Sequence, residues 1–146
     1  MNSTLQNDFL NMLVKHWDNF QQAQSSPSHF AHIHYLWYWE DGFLRSKQWY
    51  DWSGEVYRER VHRYRTEEDT FILDTFRLDG TQEPSIYFTR SEDGFEGSPE
   101  EGATNSRGEL VESQINITPN SFVTVDKGNK GEAWGNNPGA YVFKPK

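Results

Sequence analysis

The sequence contains no cysteine in 146 residues. That excludes a disulfide framework, thiolate metal ligation and any sulfur adduct formed on this chain. Positive charge is scarce as well: 14 Lys and Arg stand against 22 Asp and Glu, for a net charge of −8. A phosphate backbone or an anionic bilayer repels such a chain, so no nucleic-acid partner is expected. No apolar run approaches the roughly 20 residues of a membrane-spanning helix, and the polar start Met1-Asn2-Ser3-Thr4 lacks a signal-peptide core. The expectation is a cytoplasmic protein forming one domain over residues 1–146. There is no Gly-x-Ser-x-Gly elbow, phosphate-cradling glycine loop or dinucleotide fingerprint, which argues against nucleophilic serine, nucleotide and hydride chemistry. What the chain has in quantity is aromatic rings. They account for 16% of residues where all hydrophobic types reach only 34%, so rings make up nearly half of the apolar set.

The first element reads as one long helix. Ser3 and Gln6 have capping-box spacing. Leu5, Phe9, Met12, Leu13, Trp17 and Phe20 then recur at steps of three and four, and Ser25-Ser26-Pro27-Ser28 ends the run. From Phe30 the period changes to two. Strands are predicted at about 30–39, 43–52, 55–65, 69–78, 84–90, 109–118, 120–126 and 139–144, separated by turns such as Asp41-Gly42, Ser53-Gly54, Asp79-Gly80 and Asp93-Gly94. Short connections favour antiparallel hairpins, and so many strands in so short a chain suggest a barrel or sandwich; closure into a barrel also removes exposed edges. The predicted fold is mainly β, an antiparallel barrel with one N-terminal helix. Residues 91–112 carry seven acids against one base, Arg107, and read as a solvated, mobile loop.

Residues 35–64 hold ten aromatics interleaved with Arg45, Lys47, Arg58, Arg60 and Arg63. In Tyr35-Leu36-Trp37-Tyr38-Trp39 neighbours point to opposite sides of a strand, so both faces are ring-rich, one suited to a core and the other to a ligand or a partner. Arg58, Arg60 and His62 alternate and therefore share a face. Inward, they form a cationic strip able to hold carboxylates; outward, they form an ordinary solvated face. His32-x-His34 with Glu40 invites a metal reading, with His62 a conceivable third ligand, but the spacing departs from cupin-like sites and no metal is expected.

Phe30-Ala31-His32-Ile33-His34, Ser46-Lys47-Gln48-Trp49-Tyr50-Asp51-Trp52 and Val56-Tyr57-Arg58-Glu59-Arg60-Val61-His62-Arg63 resemble successive motifs of the T-type phycobiliprotein lyases, the CpcT/CpeT family. Glu109 to Gly128, with Ile115-Asn116-Ile117-Thr118 and Val123-Thr124-Val125-Asp126-Lys127-Gly128, is similar to that family's late strand pair, and Trp134-Gly135 with Tyr141-Val142-Phe143 to its closing segment. The resemblance implies a calyx-like, lipocalin-like barrel, a homodimer, that binds an open-chain tetrapyrrole. By the same resemblance it assists thioether formation between that bilin and a cysteine of a phycobiliprotein β-subunit, with phycoerythrobilin as the bilin and a cyanobacterial or phage-infected cell as the setting. The bilin is then a non-covalently bound substrate and no resident cofactor is implied. Gln48, Tyr50, Tyr57 and Arg58 are carried over by motif as pocket residues; Arg60 would join Arg58 on the propionates, and Asp126 would accept pyrrole N–H bonds. Two features depart from the family: Lys47 stands where a Glu is common, and the acidic stretch replaces a cysteine-bearing region. The alternative is a non-catalytic bilin carrier or another lipocalin-like small-ligand binder.

Overall fold

The computed structural model describes residues 3–104, 108, 112–127 and 140–146, without the side chains of Glu112, Asp126 and Lys127. In chain order the elements are α1 (Ser3–Leu13), β1 (His16–Asp18), α2 (Phe20–Ser25), β2 (Ile33–Glu40), β3 (Phe43–Tyr50), β4 (Val56–Glu67), β5 (Thr70–Phe76), β6 (Ile86–Arg90), β7 (Phe95–Pro99), β8 (Glu112–Thr118), β9 (Ser121–Lys127) and β10 (Tyr141–Pro145). The strands close into an all-antiparallel barrel in sequence order, with β1 as the stave that joins β2 to β10. The Asp41-Gly42 turn takes positive φ at both residues, 54° and 81°, which is the backbone a two-residue hairpin between β2 and β3 requires.

The barrel and its N-terminal helix are as predicted, but the helix is shorter. It stops at Leu13, and Trp17, which fits the helical spacing, lies instead on β1 with no exposed surface. Its indole N–H donates to the Leu13 carbonyl at 2.9 Å and so covers the helix end. Continuing the helix would leave the edges of β2 and β10 unpaired, and pairing both edges outweighs the local helical preference. Phe20, expected on the buried face, opens the short α2 and is 50% exposed. Asn19 is fully buried, where its side chain accepts from the Ile33 N–H at 2.7 Å and donates to the Ala31 carbonyl at 2.9 Å. The acidic stretch is also corrected. Phe95–Pro99 forms β7 between β6 and β8, with Phe95 and Gly97 inside the barrel and Glu96 outside it, Glu92 and Asp93 before the strand and Glu100 and Glu101 after it; residues 105–107 and 109–111 of the stretch lie outside the described residues. An added Cβ at Gly97 would overlap the Phe88 ring, which is why a residue of weak strand preference holds that place.

Register sorts the inward residues into two zones. Leu44, Tyr64, Phe71, Phe88, Phe95, Ile117, Phe122 and Phe143 gather toward one end, where α1 packs across β4, β5 and β8 and closes it. Phe9 of α1 is the centre of this floor, with its ring 4.1 Å from Phe71, 4.6 Å from Phe88 and 5.1 Å from Phe95. A surface ion pair, Arg90 to Asp8 at 2.8 Å, ties α1 to β6 at the rim. The opposite end is lined differently.

Candidate functional site at the barrel mouth

Inward positions at the open end come from β2, β3, β4 and β10. Tyr35 pairs across to Gln48, Gln48 to Arg58, Ser46 to Arg60 and Ile33 to Tyr50. Directly paired residues project to the same side of a sheet, so Gln48, Tyr50, Arg58 and Arg60 share the inner face with Tyr35. Tyr57 reaches that face by a different device. The register shifts between Gln48 and Trp49, leaving Tyr57 as the extra residue of a β-bulge. The bulge lets Tyr57 stack on Tyr50, with centroids 4.6 Å apart, and donate its hydroxyl to Gln48 Oε1 at 2.8 Å. Burial pushes the Tyr57 phenol up, aided by the neighbouring Tyr50 and opposed by Arg58. Burial does the same to Tyr141 of β10, again with Tyr50 beside it. These phenols therefore stay protonated near neutral pH, as hydrogen-bond donors on apolar rings.

The basic strip lies inside, but its three members are not equivalent. Arg60 is held by Glu83, with Nε donating to Oε1 at 2.5 Å and Nη2 to Oε2 at 3.4 Å. The same carboxylate lies 3.5 Å from Arg77. Burial alone would raise the Glu83 pKa, but the hydrogen bond and charge of Arg60 hold it below the usual carboxylate value. His62 sits deeper, 4% exposed, with Nε2 2.7 Å from Ser46 Oγ, Nδ1 2.9 Å from Thr75 Oγ1 and its ring stacked 4.5 Å from Trp37. Burial, and then the charge of Arg60, pushes its pKa down to about 3. It is a neutral core residue, so the strip contributes no charge there. Arg58 remains. It is exposed and has no ion-pair partner among the described residues.

Beside it, the start of β4 and the β5–β6 loop enclose an open cleft of about 360 Å³ lined by Tyr57, Arg58, Arg60 and Arg77 together with the carboxylates Glu59 and Asp79, within the size range of small-ligand sites. Below the tyrosines, the buried Trp37 Nε1 has no acceptor among the described residues. Asp126 occupies β9 opposite Ser113, and its side chain lies outside the described residues. So does the Trp134-Gly135 motif.

Sequence reasoning missed Glu83, whose partnership with Arg60 spans a sequence separation of 23 residues and carries no local signal. Lys47, which stands where the family commonly has Glu, neighbours the carried-over Gln48 in sequence but not in orientation. Lys47 is on the outer face, 5.5 Å from the Tyr38 ring and 5.7 Å from Trp49, so the charge reversal at that position does not face the interior. Glu40 and His62 are not partners of the His32-x-His34 pair, because Glu40 lies 3.9 Å from Arg45 at the far end of β2 and His62 points inward.

No family model and no curated protein matches the chain. Solved structures do. The T-type phycobiliprotein lyase CpeT from Prochlorococcus phage P-HM1 superposes with a TM-score of 0.78 at 21% identity, covering 99% of each chain. The chain has the fold of that lyase. The CRL protein of Arabidopsis also matches, with a TM-score of 0.72 at 14% identity over 99% of this chain and 98% of the other. Among the described residues no helix is long and apolar enough to cross a membrane.

Proposed function

We propose that the barrel mouth binds an open-chain tetrapyrrole and presents it for thioether attachment to a cysteine of a phycobiliprotein β-subunit, in the cytoplasm of a cyanobacterial or phage-infected cell. The observation that carries this reading is Arg58, a guanidinium with no ion-pair partner among the described residues, beside the stacked rings of Tyr50 and Tyr57 at the open end of a barrel closed at its other end. A bilin is a long conjugated plane with two carboxylates and polar groups along its edge. Arg58 takes a propionate, Tyr50 and Tyr57 cover the plane, and the phenol and Gln48 groups meet its polar edge. Arg60 acts through its field and through Glu83, which it holds in place, and Asp126 serves as acceptor for the pyrrole N–H groups.

The likeness to the phage phycobiliprotein lyase supports a role in phycobiliprotein chromophore attachment, and phycoerythrobilin is the bilin proposed. The sulfur nucleophile comes from the acceptor protein, because this chain has no cysteine; the barrel's contribution is orientation and electrostatic activation of the bound bilin. Exposed Trp52, Val56 and Leu78, at 80%, 39% and 61%, supply apolar surface near the mouth for protein contact, in keeping with a homodimer that admits the acceptor subunit.

The test has two stages. Purified protein is titrated with phycoerythrobilin and with other bilins, then the loaded protein is mixed with apo-phycobiliprotein β-subunit. Colour that co-elutes with this chain on gel filtration, and then appears covalently on the acceptor in a denaturing gel, supports the lyase. Binding without transfer makes it a carrier. Absence of bilin binding removes the proposal.

A further inference from the structure

On the outer face of the barrel, back to back with the tyrosine cluster, β1, β2 and the end of β3 gather three imidazoles and two carboxylates. Asp18 pairs with His34 in register, and His34 with Trp49, so these side chains share the outward side. His34 is 3% exposed and its ring lies flat on Trp49, 5.0 Å between centroids at 11°. Asp51 follows β3 and holds both histidines of the His32-x-His34 pair, with Oδ1 2.7 Å from His34 Nε2 and Oδ2 3.5 Å from His32 Nδ1. With those nitrogens taken as donors to Asp51, the tautomers are set. His32 Nε2 and His34 Nδ1 are then left with lone pairs. The first lies 3.2 Å from Asp18 Oδ2 and the second 2.9 Å from His16 Nε2.

We infer that Asp18, His32 and His34 form a binding site for a divalent cation of the zinc class, with Asp51 as the carboxylate that orients both imidazoles. One ligand atom from each of the three residues lies within 4.8 Å of the other two. A tetrahedral ion with bonds of about 2.0–2.1 Å needs its ligand atoms roughly 3.3 Å apart. The His32–Asp18 pair already has that spacing, and the ion would draw the His34 nitrogen in from within 4.8 Å. Two neutral imidazoles and one carboxylate are a borderline donor set that suits zinc and disfavours magnesium and calcium, which prefer oxygen. The carboxylate behind the histidines is the recurrent second-shell partner of metal-bound imidazole. A fourth position falls to water or to His16, beside His34.

The site sits where the barrel is thinnest. β1 has three residues, and the ion would tie one of them, Asp18, directly to β2. The chemistry is independent of bilin binding, because every ligand is on the outside. A hydrogen-bonded network with no ion is the competing account.

The full chain, stripped with a chelator and exchanged into chelator-free buffer, is titrated calorimetrically with zinc chloride and, separately, with magnesium chloride. The expected result is one zinc per chain, a raised thermal midpoint in zinc, and no heat with magnesium. Asp18→Asn keeps the Oδ1 acceptor for the Phe20 N–H, and His32→Gln changes a partly exposed side chain, so both variants retain the fold by circular dichroism. Each should lose more than the roughly 10–100-fold in zinc affinity expected for Asp51→Asn, whose residue acts behind the ligands. No zinc uptake by the unmodified chain overturns the site. So does zinc uptake that Asp18→Asn and His32→Gln leave unchanged.

Discussion

At the floor of the barrel Phe9 touches three other phenylalanines within 5.1 Å, while at the mouth Tyr50 and Tyr57 stack at 4.6 Å with a hydroxyl bonded to Gln48 and Arg58 alongside. Both ends are built from rings on alternate strand positions. They differ in what the rings carry and in what covers them. Phenylalanine has no polar edge to satisfy, so α1 can lie across it and the end closes. Tyrosine and arginine need water or a ligand at their tips, so the same architecture stays open where they cluster. Strand pairing makes the container, and the balance of polar tips among the rings decides which end of it is available.

The contrast breaks most visibly at the floor. Phe9→Ala should cost about 3–5 kcal/mol of folding stability, the range for deleting a buried phenylalanine, read from a urea unfolding midpoint. An equal loss from Tyr57→Ala would mean the mouth is as much a core as the floor. At the mouth the expected effect is on binding. Arg58→Ala should weaken bilin affinity by about 1.5–3 kcal/mol, roughly 10- to 150-fold, and leave stability within about 0.5 kcal/mol. A titration that matches the parent chain would take Arg58 out of the site.

Between the two zones lies His62, and there pH sharpens the comparison. Its pKa is about 3 in the folded chain against roughly 6.5 unfolded. Between those values only the unfolded state binds the proton, so its contribution is intact above pH 6.5 and is lost as pH falls toward 3, with a slope of at most about 1.4 kcal/mol per unit. His62→Gln should flatten the stability–pH curve in that window, and an unchanged slope would contradict a buried neutral imidazole. The smallest effect is that of the bulge hydrogen bond. Tyr57→Phe keeps the ring and removes the donor to Gln48, for about 0.5–1.5 kcal/mol, measured by the same urea midpoint.

Much of the barrel is legible in the sequence because alternation survives where one face is buried and the other solvated, as in the His62-Arg63-Tyr64 run of β4. It fails where two periods fit the same residue. Trp17 satisfies the helical step from Leu13 and also the inward position of a three-residue strand, and only the distant partners Tyr35 and Pro145 decide. β7 is hidden for another reason. Its inward set contains Gly97, which exists for the Phe88 ring and looks like a loop residue on its own. At the mouth, alternation correctly groups Arg58, Arg60 and His62 but carries no sign of which way they face. Nor does it tell that Glu83 engages one of them and burial neutralises another. The inward reach of Tyr57 depends on a bulge that no spacing rule announces.

The stave β1 has a consequence for the order of events in time. Trp17 lies opposite Tyr35, 18 positions later, on one side and opposite Pro145, 128 positions later, on the other. The second edge of β1 is therefore satisfied only when β10, more than 120 residues further along, is in place. Until then β2 carries an unprotected flank or a half-docked strand, and the ring stays open. Contacts that distant along the chain slow folding, so closing the circle through β1 and β10 is the late step.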